Sequence, residues 1–250
     1  MLRELASPRR FELLAGEVRP DSILVVICLY NRPDRIDAVL AQLAAQRGSP
    51  SIRLVMWNNA PRDDGHYRAR IRAMGAWDAL ASVEYRSSPN IGGIARFIVA
   101  RRLLGGRAGV PFVMIDDDQD FDESFVAQLL SRHAPRSFSG VWAFFILGSY
   151  WARIEAEADG GASYVGTGGS VCDAALVRTR GFFWRLPGRY GFIEDLWASM
   201  FAGSRGWDLT RAAVPVRFVG EEMNQYHKLT NLKPEFYDYL IAQTRLGMPL

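Results

Sequence analysis

The sequence is poor in cysteine, in lysine and in long apolar runs, and each shortage removes a class of protein. Cys28 and Cys172 are the only cysteines among 250 residues, far apart and each set among apolar or small residues. No disulfide framework follows, and both are expected to be free thiols. The longest strongly apolar stretch, Val141 to Ala152, is about a dozen residues, short of the roughly 18 to 20 that cross a bilayer as a helix. It reads as a buried strand. The opening MLRELASPRRFELLAGEVRP scatters leucines among charges and has neither a continuous apolar core nor a small-residue cleavage site, so no secretory signal is read and a cytoplasmic location is expected. No repeat, low-complexity tract or linker divides the chain, and its length with 49% hydrophobic residues suits a single α/β domain.

Lysine is confined to Lys228 and Lys233, so the net charge of +3 and the pI near 9.0 rest on arginine. The guanidinium fork suits bidentate contact with phosphates, although genomic base composition also drives arginine over lysine. A nucleic-acid partner is thus allowed by the charge and not indicated by it. Of the three histidines, His66 is placed in a polar loop and His133 in a surface segment, neither with a neighbourhood suited to chemistry.

What the chain does have is alternation of strand and helix. ILVVICL (23–29) is a continuous β-branched and apolar run, as expected of a parallel strand covered on both faces. Tyr30-Asn31-Arg32-Pro33 ends it, and DRIDAVLAQLAAQ then sets Ile36, Val39, Leu40, Leu43 and Ala44 at helical spacing. IRLVMW (52–57), a helix over 65–78, SVEYRS (82–87), a helix in IGGIARFIVARRLL and VPFVMI (110–115) continue the pattern. Beyond it the spacing predicts strands at 140–148, 163–167 and 213–219, helices at about 194–203 and 234–245, and a small-residue segment, GTGGS. Such alternation predicts a mostly parallel twisted sheet with helices on both faces and ligands at the carboxyl ends of its strands.

The polar residues after those strands are the site candidates. MIDDDQDF places Asp116, Asp117 and Asp118 straight after a buried strand, where clustered carboxylates repel and lose solvation. A divalent cation would relieve this, since magnesium and manganese take oxygen ligands and bridge carboxylates to substrate phosphates. A solvated acidic loop is the plain alternative. Glu194-Asp195 opens the helix at 194, where acidic residues often serve only the helix dipole. Beside the first cluster, one of the pair can instead be a general base for an attacking hydroxyl. His227, next to Lys228, follows a strand of the second half and could complete a metal shell or contact a diphosphate.

These segments together resemble the glycosyltransferases of the GT-A fold over roughly residues 22 to 228. ILVVICLYNRPDRIDAVLAQL is similar to their first strand, turn and helix, which implies nucleotide contacts for Tyr30, Asn31, Arg32 and Arg35. LVMWNNAP resembles the end of their second strand, where Asn58 and Asn59 match the WNN of exostosin-like members better than the acidic residue of many family 2 members. SPNIGGIARF, with Asn90 and Arg96, resembles the segment that approaches the diphosphate, and IDDDQDF resembles the DxD motif. The resemblance implies that Asp116 meets the nucleotide and Asp118 the metal; Asp117 is added as a nucleotide contact, Asp116 and His227 as further ligands of Mn2+ or Mg2+, and Lys228, beside His227, as a donor contact. YVGTGGSVCDAALVR is similar to the sugar and acceptor segment, and FIEDLWASMF to the ED motif, which makes Asp195, ahead of Glu194, the base.

The implied fold is a GT-A type Rossmann-like α/β/α sandwich in one catalytic domain, with a nucleotide half over about 22–120 and an acceptor half over about 121–250. The implied reaction is metal-dependent transfer from a nucleotide-sugar, a UDP-sugar by default, to an acceptor hydroxyl with inversion. The acceptor could be a glycan, a lipid-linked sugar or a protein. The QxxRW motif of processive synthases is absent, which favours transfer of one or a few sugars. The WNN keeps a retaining, exostosin-like reaction open. A sugar-1-phosphate nucleotidyltransferase would need a glycine-rich basic loop after the first strand, where YNRPDR stands instead. A non-catalytic nucleotide or carbohydrate binding module is the remaining reading.

Overall fold

The computed structural model describes residues 1–7, 10–75, 78–219, 229–246 and 250. Its centre is an eight-stranded sheet in the order β1-β4-β3-β2-β5-β11-β7-β12. The strands are β1 (Glu12–Gly16), β2 (Ile23–Leu29), β3 (Ile52–Asn58), β4 (Leu80–Ser87), β5 (Pro111–Asp116), β7 (Ser137–Gly140), β11 (Ser170–Asp173) and β12 (Asp208–Arg211). β2 pairs in parallel with β3 and β5, β3 with β4, and β12 with β7, whereas β1, on β4, and β11, between β5 and β7, run antiparallel.

The period of two along β2 sorts its side chains between two cores. Leu24 and Val26 pack in one cluster with α4 (Ala95–Leu104), α6 (Glu194–Gly203) and α7 (Leu232–Arg245). Ile23, Val25, Ile27 and Leu29 pack in the other with α2 (Ile36–Ala44), α3 (Asp64–Arg72) and α5 (Phe125–Leu130). This is the expected α/β/α sandwich, and it explains why β2 had to be apolar throughout: both of its faces are covered.

Topology then selects the site. From β2 the chain winds outward through β3 and β4, and returns to place β5 on the other side of β2. The carboxyl ends of β2 and β5 therefore flank the point where the winding reverses, and ligands of open α/β sheets bind at such points. Tyr30–Arg32 and Asp116–Asp118 follow those two strand ends. β11, antiparallel to β5, brings the GTGGS segment beside them.

Several expectations need correction. The helix over 65–78 ends at Arg72 and contains His66, which is not in a loop. The helix in 91–104 begins only at Ala95, because Gly92 takes a left-handed φ of +76° and the chain turns there first. His133 is tucked against buried Asp173, its Nε2 4.0 Å from the carboxylate, so it is not a surface residue. The stretch 140–148 divides between β7 and β8 (Ala143–Ile146), and 213–219 contains only the two-residue β13 (Arg217–Phe218), which pairs with β6 (Gln119–Asp120).

The apolar run 141–152 is not a buried strand. β8 and β9 (Arg153–Glu155) form an antiparallel hairpin, joined in a small sheet by β10 (Tyr164–Val165), and Phe145, Leu147 and Trp151 remain 40%, 56% and 50% exposed. Only the start of β8 is covered: Ala143 and Phe144 are buried, whereas Phe145 is exposed and Ile146 is half-buried. Cys28 and Cys172 are both free thiols, and no described helix is long and apolar enough to cross a membrane.

Candidate active site

The acidic cluster is built by β5 running out into a tight turn, and arginines delivered by other elements meet each carboxylate. Arg32, from the turn after β2, donates from Nη1 to Asp117 Oδ1 at 2.6 Å and sets Nη2 3.1 Å from Asp118 Oδ2. Arg96, in the first turn of α4, is 5% exposed and reaches Asp116 with Nη2. Its Nη1 donates to Glu194 Oε1 at 2.9 Å and to Thr167 Oγ1 at 3.1 Å. The repulsion that the sequence assigned to a divalent ion is thus relieved largely by guanidinium groups.

Glycine is required where these groups converge. A Cβ on Gly93 would stand 1.7 Å from Glu194 Oε1 and 2.5 Å from Arg96 Nη1, so no side chain fits there. A Cβ on Gly168 would stand 2.1 Å from Asp116 Oδ2. The empty place beside that oxygen keeps it open to a ligand.

Burial pushes the Asp118 carboxyl up, and the negative charge of Asp116 adds to this while Arg32 opposes it. Burial likewise raises Asp117 against the pull of Arg32. Glu194 is pushed up by burial and pulled down by Arg96. The hydrogen-bonded ion pair with Arg96 leads us to assign Glu194 as the carboxylate. Burial also pushes the Cys28 thiol up to about 12, which makes it neutral wall and no nucleophile.

Two cavities meet over this cluster. The first, of about 350 Å³, is bounded by the turn after β2, the carboxyl end of β5 and the start of α6, and its lining includes Tyr30, Arg32, Asn59, Arg96, Phe192 and Glu194. The second, of about 520 Å³, opens toward the β8–β9 hairpin and is lined by Trp142, Tyr150, Arg153, Tyr164 and Phe218, among others. Asp116, Asp118, Thr167, Asp195 and Lys233 line both. Glu194 lines only the first. Asp195 accepts a 2.5 Å hydrogen bond from Tyr164 Oη on Oδ2 and a 2.7 Å bond from the Leu196 amide on Oδ1.

Of the residues singled out by sequence, Tyr30, Arg32, Asn59, Arg96, Asp116, Asp117, Asp118, Glu194 and Asp195 come together at the first cavity. Four others do not. Arg35 donates to the carbonyls of Asp117 and Gln119 at 3.0 and 3.3 Å and pairs with Asp120, so it braces the acidic turn from behind. Asn58 is fully buried, bonded to Tyr85 Oη and to the Ala60 amide, and shapes the chain after β3. Asn90 accepts from the Gly92 amide at 2.8 Å and holds the glycine turn. Asn31, at a left-handed φ of +58°, accepts from Arg62 at 2.7 Å. His227 and Lys228 lie outside the described residues.

Sequence reasoning passed over Tyr164, Thr167, Trp151, Arg153, Phe192 and Lys233. Tyr164 and Thr167 lay in the segment already matched to a sugar pocket, so a signal existed. Trp151 was hidden by reading its surroundings as a buried strand.

Metal fit can be judged from the donors. Asp116 and Asp118 offer hard oxygens on a shared wall, the space beside Asp116 Oδ2 is kept open by Gly168, and one oxygen of each carboxylate accepts no hydrogen bond from a described residue. Two carboxylates completed by water and substrate phosphate suit Mg2+ or Mn2+. Among the described residues no group of three or more acidic, histidine or cysteine side chains is placed to hold a metal unaided.

The fold is that of the GT-A glycosyltransferases. Residues 1–349 of S. aureus TarS, solved in complex with UDP-GlcNAc, superpose with a TM-score of 0.54 at 15% identity over 82% of this chain. This chain spans 61% of the length of that fragment. The mannosyltransferase PcManGT from Pyrobaculum calidifontis, in complex with GDP-Man and Mn2+, gives a TM-score of 0.54 at 15% identity, covering 96% of this chain and 69% of its own. No family model and no curated protein matches the sequence. At such identity the likeness fixes the architecture, and the chemistry rests on the residues.

Proposed function

We propose that the protein transfers a glycosyl group from a nucleotide-sugar, a UDP-sugar by default, to an acceptor hydroxyl with inversion, using Asp195 as general base. The observation that carries this reading is the position of Asp195 in the wall common to two cavities, beside Asp116 and Asp118. A donor in the first cavity would direct its anomeric carbon toward that wall, and an acceptor in the second would meet it there. The nucleotide-sugars held by TarS and PcManGT, and the Mn2+ of the latter, support a nucleotide-sugar as donor.

The acceptor oxygen attacks the anomeric carbon as the bond from that carbon to the diphosphate breaks, and the bonding pair leaves with the diphosphate. Asp195 takes the hydroxyl proton. Tyr164, donating to Oδ2, holds the carboxylate in place, and each oxygen keeps a second lone pair for the incoming proton. Arg32 and Arg96 set fixed positive charge beside the departing phosphates, without reorganisation during the step. A divalent cation on Asp116 and Asp118, with His227 as the expected further ligand, would supply charge neutralisation of the leaving diphosphate.

The segment behind the retaining alternative is mainly structural here. Trp57 and Asn58 are fully buried, and Trp57 Nε1 donates to Ser88 Oγ at 3.0 Å. The decisive experiment is Asp195→Asn. Its kcat should fall by roughly 10² to 10⁴-fold, the usual scale of a general base, with donor affinity near wild type. NMR of the wild-type product should show the anomeric configuration inverted from the donor, and a retained configuration would remove Asp195 from the role of base.

A further inference from the structure

The second cavity is lined by two cations that no carboxylate of a described residue neutralises. Arg153, the first residue of β9, has its guanidinium carbon 4.6 Å from the centre of the Phe144 ring, 5.2 Å from Tyr150, 5.7 Å from Trp151 and 5.9 Å from Tyr164. Lys233, in the first turn of α7, places Nζ 5.6 Å from Tyr150 and 5.8 Å from Trp151. Neither forms an ion pair with a described residue. The acidic residues of the same cavity are already engaged: Asp116 by Arg96, Asp118 by Arg32 and Asp195 by Tyr164.

Stacking on aromatic rings holds a guanidinium by its face and leaves the in-plane N–H donors unspent. Arg153 uses one of them, from Nη1 to Tyr150 Oη, at 3.4 Å. Two like charges gathered round the same pair of rings repel each other. An anionic group between them would relieve the repulsion and accept the Arg153 fork. A donor diphosphate in the first cavity could reach Lys233, which lines both cavities, but it leaves Arg153, which lines only the second, without an anion.

We infer that the acceptor is an anionic saccharide, bearing a carboxylate or a phosphate that Arg153 and Lys233 bind. This rests on the glycosyl-transfer reading, which makes the second cavity the acceptor site. The spacing fits: Arg153 lies over the Tyr164 ring, and the hydroxyl of that ring bonds Asp195. A nucleophilic hydroxyl at Asp195 and an anionic group at Arg153 would thus lie on either side of the Tyr164 side chain. Trp142 and Phe218, with ring centres 5.2 Å apart, supply apolar wall for the C–H face of a sugar.

The test titrates the protein, followed by NMR, with three ligands: a neutral disaccharide, the same disaccharide with its terminal ring oxidised to a uronate, and the same phosphorylated at its primary hydroxyl. One or both charged forms should bind at least about ten-fold more tightly than the neutral one, the scale of a hydrogen bond to a charged group, and the tighter of the two identifies the anion. Arg153→Gln should erase that ratio and Arg153→Lys should keep most of it. If Arg153→Gln does not fold, Lys233→Gln reports the same ratio. Equal affinity for neutral and charged forms, or a ratio unchanged by Arg153→Gln, overturns the inference. Thermal stabilisation by nucleotide-sugars with manganese is measured alongside. An Arg153-dependent ratio without any such stabilisation would leave the anion site standing and defeat the transferase reading, and the converse would defeat the anion site alone.

Discussion

Removing Arg96 should be the most damaging single change near the site, and its cost can be worked from burial. Arg96 and Glu194 have side chains only 6% and 8% exposed, and they meet at 2.9 Å. Arg96→Met roughly keeps the volume and deletes the charge. Glu194 would then be a buried carboxylate with no cation in contact, a situation that costs about 3 to 5 kcal/mol when a buried pair loses one partner. Asp116 is less affected, because its side chain is 35% exposed and water can replace the guanidinium. For a domain of this size, about 3 kcal/mol corresponds to a fall in Tm of roughly 6 to 12 °C.

The loss should depend on pH. With Arg96 present, burial already pushes the Glu194 carboxyl up, and without Arg96 it rises further above its unfolded value. A carboxyl with a raised folded pKa binds more protons folded than unfolded, so stability is fully present below the unfolded pKa and is lost as pH rises through the folded one. Arg96→Met should therefore be closer to wild type at pH 5 than at pH 8 in urea unfolding. The double variant Arg96→Met/Glu194→Gln should recover much of the loss, since it removes the stranded charge. A loss under about 1 kcal/mol, set against the 3 to 5 expected, would refute the reasoning, as would a loss that grows on acidification.

Two further outcomes concern ligand binding and turnover. Asp118→Asn should fold normally, because Asp118 is tied chiefly to Arg32 at 3.1 Å, yet lose the manganese-dependent stabilisation by nucleotide, about 2.7 kcal/mol in wild type at a hundred-fold excess over Kd; stabilisation undiminished in the variant would sink its assignment as ligand. Tyr164→Phe should lower kcat about ten-fold with the donor KM little changed, since it deletes one hydrogen bond to the proposed base, and steady-state kinetics showing a rise in KM alone would move Tyr164 from orienting Asp195 to binding substrate.

The first half of the fold could be read because parallel strands covered on both faces leave an unbroken apolar signature. ILVVICL and VPFVMI mark β2 and β5, and the polar residues just past them became the site. The second half could not be read in the same way. β11 inserts antiparallel between β5 and β7, and β12 returns parallel to β7, so partners are set by long-range pairing that periodicity does not encode. Short strands such as Tyr164–Val165 and Arg217–Phe218 carry too few residues to show a period at all.

The same division separates the two halves of the site. Donor-side groups sit on turns that directly continue legible strands, so Arg32 and Asp116–Asp118 were named from their positions in the chain. Acceptor-side groups come from the hairpin, from β10 and from the start of α7, elements brought together only by tertiary folding. The apolar run 141–152 misled for a physical reason. A hairpin whose base is buried and whose far end carries exposed large side chains has the composition of a buried strand, and the burial along Ala143–Ile146, two buried residues followed by two that are not, is set by tertiary packing that composition does not encode. Arg153 then stands at the boundary of that run, where a charge looks like the end of a strand. In the fold it is surrounded by four aromatic rings, and the residue that sequence would treat as punctuation becomes the strongest handle on what the acceptor carries.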